Sequence, residues 1–67
     1  MTKQDYKSIR LKAGLTQAQL AKLFRFSSQN YVSKIENGIY IPDNQTQILY
    51  ELLRDKKLED TESGKNT

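Results

Sequence analysis

Residues Leu15–Gly38 read LTQAQLAKLFRFSSQNYVSKIENG, and the fold is decided there. The run reads as two short helices joined by a tight polar turn. Leu20, Ala21, Phe24 and Phe26 supply its apolar side chains up to the turn, and Val32 and Ile35 those after it. Thr16 and one of Ser27 or Ser28 stand where each helix needs an N-cap, because a short hydroxyl side chain accepts from the first free backbone N–H groups. Ala21 is small where the second helix must lie close to the third, so a large side chain there pushes the pair apart.

The outward side of the third helix has an unusual composition: Gln29, Asn30, Tyr31 and Lys34. A helix that needs only solubility carries Glu and Lys pairs on such a face. Amides, a phenol and a lysine are instead groups that read base edges and grip phosphates. Gln29 and Asn30 each donate and accept at once, which matches adenine N6 and N7 in the major groove. Tyr31 offers a ring to a thymine methyl and a hydroxyl to a base or phosphate. Lys34, one turn on, reaches guanine acceptors or the backbone. The competing reading is a merely solvated helix start, with Tyr31 packed on the turn.

Outward from this run, a first helix is expected from Lys3, with Thr2 as N-cap and Asp5 completing a capping-box-like pair. Tyr6, Ile9 and Ala13 make its apolar stripe, and Gly14 is the residue that ends it in a left-handed conformation. Gln19 follows the Thr16 cap by three. The third helix should run from about Ser28 to Asn37 and stop at Gly38. Pro42 disfavours helical geometry at Ile41, so Ile39–Pro42 is expected to be extended, its apolar residues folding back as a lid. Asp43 caps a fourth helix over Asn44–Arg54, with Ile48, Leu49, Leu52 and Leu53 as a broad apolar face. The predicted core is Tyr6, Ile9, Ala13, Leu15, Leu20, Ala21, Phe24, Phe26, Val32, Ile35, Ile48 and Leu52. Residues 1–55 read as one all-α domain of four helices, and the polar stretch 56–67 as a disordered tail.

Composition narrows the function. The chain has 67 residues, near the lower limit for a core that folds without staples. It holds neither Cys nor His, which removes disulfides, the usual zinc sites and the common nucleophile pairs. There is no phosphate-cradling glycine loop, and Ser27, Ser28 and Ser33 lack a candidate base, so neither an enzyme nor a cofactor is expected. No run is apolar enough for a membrane span or a signal peptide, and the expectation is a soluble, cytoplasmic protein. Net charge is +3, and eight Lys/Arg against four Asp/Glu fall within residues 1–54. A basic body suits a polyanionic partner.

The residues GLTQAQLA (Gly14–Ala21), the turn FRFSS, QNYVSKIENG (Gln29–Gly38), Pro42 and Arg10 together resemble the Cro/repressor, or XRE, family of helix-turn-helix DNA-binding proteins. The likeness covers roughly residues 5–54, a small lambda-repressor-like domain lacking a clear fifth helix. One departure is a gap between Phe26 and Val32 one residue longer than usual, the extra residue falling around Ser27–Ser28. The resemblance implies base reading by Gln29, Asn30 and Lys34, which Tyr31 joins. It implies phosphate anchoring by Gln17 at the start of the second helix, where Thr16 also stands. Ser27, Ser28, Asn37 and Tyr40 are candidate phosphate contacts too, and Lys7, Lys12, Lys22 and Arg25 contribute field. Arg10 and Glu36 should pair and tie the first helix to the third. The implied function is a homodimeric, autoregulatory repressor of a phage or mobile element on an inverted-repeat operator. Leu49 and Leu53 are its dimerisation candidates, no small-molecule effector is expected, and the protein would be nucleoid-associated when bound. The rivals are an antitoxin-like protein-interaction module and a nonspecific architectural binder.

Overall fold

A computed structural model describes residues 1–57 of the chain. Four helices follow one another: α1 (Lys3–Lys12), α2 (Gln17–Leu23), α3 (Gln29–Glu36) and α4 (Asn44–Arg54). Each begins at a side-chain cap. Thr2, Thr16, Ser28 and Asp43 accept from the backbone N–H of Asp5, Gln19, Asn30 and Thr46 respectively. At Thr2 and Thr16 the Asp5 and Gln19 side chains reach back to the cap's own N–H, closing two capping boxes. Ser28, rather than Ser27, takes up the longer turn and fixes the start of α3.

The four helices also end alike. The residue after each C-cap is left-handed: Gly14 at φ 75°, Arg25 at 63°, Gly38 at 78° and Lys56 at 61°. Two backbone bonds close each end. After α2, for example, Arg25 N–H donates to Lys22 and Phe26 N–H to Ala21, at 3.2 and 2.8 Å. Glycine adopts this conformation freely, whereas a side chain there costs roughly 1–2 kcal/mol. A cation at a helix C-terminus recovers about 0.3–1 kcal/mol through the helix dipole, which offsets part of that cost at Arg25 and Lys56. Of the expected tail, residues 56 and 57 belong to this closure of α4, and 58–67 lie outside the described residues.

α2 packs chiefly on α3, and α1 lies against both α3 and α4. The core is Tyr6, Ile9, Leu20, Ala21, Phe24, Val32, Ile35 and Tyr50. Leu15 and Phe26 are half-buried against it, as are Leu49 and Leu53, and Leu52 is half-buried as well. The apolar face of α4 differs from the expected one. Ile48 is 53% exposed, whereas Tyr50 is fully buried and Thr46 nearly so. Residues 46, 49, 50 and 53 form the inward stripe, spaced i, i+3, i+4, i+7 as a helix requires. Counting only aliphatic residues rotated that stripe toward Ile48.

Two further expectations are corrected. Ala13 is exposed, because it is the C-cap of α1 and already turns away from the stripe. Ile39 and Ile41 are 72% and 80% exposed, so the segment after α3 is no lid. Pro42 turns inward instead. The six aromatic rings make one unbroken row. It runs Tyr6, Tyr50, Phe24, Phe26, Tyr31, Tyr40, with successive centroids 4.4–5.7 Å apart. Tilted and edge-on packing of this kind is favourable beyond the area it buries.

Candidate nucleic-acid interface

The last residue of α3 anchors that helix to the rest of the domain. Glu36 accepts from Arg10 Nε at 2.6 Å and from Arg10 Nη2 at 3.1 Å, a two-pronged pair. Its Oε1 also accepts from Gln17 Nε2 at 3.2 Å. Arg10 donates a further N–H to the Leu15 carbonyl at 2.9 Å. The side chains of Arg10 and Glu36 are 10% and 4% exposed, so this is a largely dry cluster. Its charges survive burial because each is multiply bonded. The bond to Glu36 raises the Arg10 guanidinium above its ordinary value, outweighing the opposite effect of burial. One carboxylate thus joins α1, the start of α2 and the end of α3. The Arg10–Glu36 pair is the one that the family resemblance implies. The part taken by Gln17 was missed, and no spacing rule in the sequence signals it.

The start of α3 is the reverse. Gln29, Asn30 and Lys34 are exposed, and their side chains form no hydrogen bond or ion pair among the described residues. They stand beside the Ser28 cap on a helix of eight residues, which spans about 12 Å at 1.5 Å per residue. A helix with its side chains is about 10–12 Å across, which fits a major groove roughly 12 Å wide. Amides and an ammonium left without internal partners are free to bond a ligand.

Tyr31 is placed differently from these three. It is half-buried, with its ring 4.4 Å from Phe26 and 4.7 Å from Tyr40. Burial, and then the Tyr40 phenol, push its hydroxyl up to about 12. Its ring therefore supports the start of α3 from beneath. Tyr40 is 41% exposed at the end of the aromatic row. Among the other polar candidates, Thr16, Ser27, Ser28 and Asn37 are exposed. The Asn37 amide reaches the Ser33 hydroxyl at 3.4 Å.

Leu49 and Leu53 are only partly outward, since both pack on the core of their own chain. Among the described residues no helix is long and apolar enough to cross a membrane, and no three or more Asp, Glu, Cys or His side chains gather as a metal site would require.

A helix-turn-helix family model matches residues 7–51, from the middle of α1 into α4, more than half of the chain. No curated protein and no solved structure gave a significant match. The matched span contains the capped turn, the Glu36 anchor and the open start of α3. The chain therefore belongs to the Cro/repressor-type helix-turn-helix family, as a DNA-binding domain of transcription regulators.

Proposed function

We propose that this protein reads a specific duplex sequence by laying the start of α3 in the major groove, and that it does so as a two-fold symmetric homodimer on an inverted repeat. One observation carries the reading: Gln29, Asn30 and Lys34 are exposed and internally unpartnered on a helix whose other end is fixed by a buried carboxylate. Bidentate amide bonding to adenine and lysine bonding to guanine or phosphate are what those groups offer. Tyr31 holds the reading residues in place through its ring rather than reading a base itself. Thr16, Ser27, Ser28, Asn37 and Tyr40 flank the helix as phosphate contacts. Gln17, with one amide hydrogen given to Glu36, keeps the other for a phosphate.

The dimer is favoured by the apolar surface that α4 and the preceding loop leave outside. Ile39, Ile41 and Ile48 are more than half exposed, and Leu49 and Leu53 are only partly buried. Occupying a promoter makes repression the simplest output, and the protein's own promoter the simplest target.

The test is a binding titration on DNA from upstream of the protein's own gene, beside shuffled DNA, with the paired change Gln29→Ala and Asn30→Ala. Specific readers prefer their site by about 10³-fold or more. A preference of that size, abolished in the variant while helicity is kept, supports the reading; equal affinity for both DNAs refutes specific reading of that promoter. Sedimentation of a monomer at tens of micromolar would remove the dimer.

A further inference from the structure

We infer that Arg25, the residue between Phe24 and Phe26 in the turn of the helix-turn-helix, is a phosphate-gripping residue rather than a contributor of diffuse charge. The inference rests on the DNA-binding reading and begins from backbone geometry. Two of the four helix ends use glycine for the left-handed residue, and two use a cation. The dipole of the preceding helix favours a cation at both of the latter positions. That accounts for Lys56, which borders the groove between α1 and α4 with Ser8, Ile9 and Ala13. It accounts only partly for Arg25, since Lys22 in the last turn of α2 forms no ion pair among the described residues, whereas Arg54 in the last turn of α4 is already paired with Asp55 at 3.0 Å.

The surroundings of Arg25 supply the rest. Its neighbours Phe24 and Phe26 turn toward the core and pack edge to face at 5.7 Å, while Arg25 is exposed. Its guanidinium has no ion pair or hydrogen bond among the described residues, in contrast to Arg10 and Arg54. In the chain it lies three residues before the Ser28 cap, in the turn that leads into the end of α3 carrying Gln29 and Asn30. A left-handed backbone at a non-glycine residue is strain held where surrounding structure fixes it, and such residues cluster at ligand clamps. Here Phe26 N–H on the Ala21 carbonyl at 2.8 Å holds the turn. Five N–H donors in a planar fork, carried on a backbone that the turn holds, suit a phosphate oxygen pair.

The variant Arg25→Gly separates the two roles, because glycine relieves the backbone while removing the guanidinium. Lys56→Gly is its control, with the same backbone conformation and the same charge change at another corner of the fold. Both are titrated with a mixed-sequence duplex of about 20 base pairs, two helical turns, across a salt series. Each neutralised phosphate contributes about −0.9 to the slope of log affinity against log salt. Arg25→Gly is expected to keep or raise the thermal midpoint and to flatten that slope by about one per protomer. Its affinity loss should then be about threefold larger at 50 mM than at 200 mM salt for each protomer bound, roughly tenfold for a dimer. Lys56→Gly should leave the slope unchanged. An unchanged slope in Arg25→Gly, or equal changes in the two variants, overturns the assignment. Absence of any binding by the unaltered protein at low salt overturns the DNA reading, and this assignment with it.

Discussion

The two ends of α3 are built on opposite principles. At Glu36 the carboxylate accepts three hydrogen bonds, two from Arg10 and one from Gln17, in a cluster largely shut from solvent. Eight residues earlier, the Ser28 hydroxyl accepts from the Asn30 backbone N–H and leaves the Gln29 and Asn30 side chains unpartnered. The closed end sets where the helix lies, and the open end is available to whatever the helix meets. A reading helix needs both. Side chains that float on a loose helix gain little from correct chemistry, because the cost of ordering the helix would then weaken binding.

The largest effect should come from breaking the closed end. Arg10→Ala leaves the Glu36 carboxylate and the Leu15 carbonyl short of donors, a loss of about 3–5 kcal/mol for a buried pair. That approaches the whole stability of a domain this small, so chemical denaturation should find the variant largely unfolded, with DNA binding gone. A variant with an unchanged midpoint and no binding would show that Arg10 belongs to the open end. Next comes the paired change Gln29→Ala and Asn30→Ala. Site affinity should fall by about 1–3 kcal/mol for each amide–adenine pairing removed, while the unfolding free energy stays within about 0.5 kcal/mol. A large stability loss instead would mean that the open end is structural too.

A smaller effect is expected beneath the closed end. The Tyr50 hydroxyl is buried with no hydrogen-bond partner among the described residues, near enough to feel Glu36 and Arg10. Burial pushes it far above the ordinary phenol value, with Glu36 adding to the rise. Tyr50→Phe should therefore hold or raise stability, by up to about 1 kcal/mol, because an unsatisfied buried polar group is removed. A fall beyond that would reveal a bond to the hydroxyl that matters for the anchor.

The smallest effect belongs to the caps and is read by pH. Accepting backbone N–H groups holds the Asp43 carboxyl, and likewise that of Asp5, below the ordinary carboxylate value. A depressed carboxyl contributes stability that is present above its unfolded value, about 3.9, and is lost as pH falls through the folded one. Melting temperature should thus fall below about pH 4, and less steeply in Asp43→Asn, which keeps a capping oxygen without the charge. Identical acid profiles would mean that the caps owe nothing to charge.

Much of the fold was legible because it is written in local rules. Thr2, Thr16 and Asp43 cap where short polar side chains precede helical stripes, and Gly14 and Gly38 end helices where glycine is the least strained left-handed residue. Arg25 was illegible for the same reason, since no sequence rule expects an arginine in that conformation. The face of α4 was misjudged because Tyr50 and Thr46 carry hydroxyls, and pattern reading weighs a hydroxyl as outward. Packing decided otherwise: the Tyr50 ring stands edge-on to Phe24 at 5.0 Å and beside Tyr6 at 4.7 Å. In the interface, the residue types of α3 were readable and the Arg10–Glu36 pair followed from family resemblance. The Gln17 bond to Glu36 depends on how α2 and α3 cross, which no single stretch of sequence encodes.

The aromatic row also makes the molecule its own optical reporter. The chain has no tryptophan, so its near-ultraviolet emission comes from four tyrosines. All four belong to one row of touching rings that begins in the core at Tyr6 and ends exposed at Tyr40. Excitation passes readily between such close chromophores, and a nucleobase or phosphate arriving at Tyr40 would drain light from rings it never touches. Binding at the outer end can therefore be followed with no dye attached, and Tyr40→Phe would show how much of the signal leaves through that last ring.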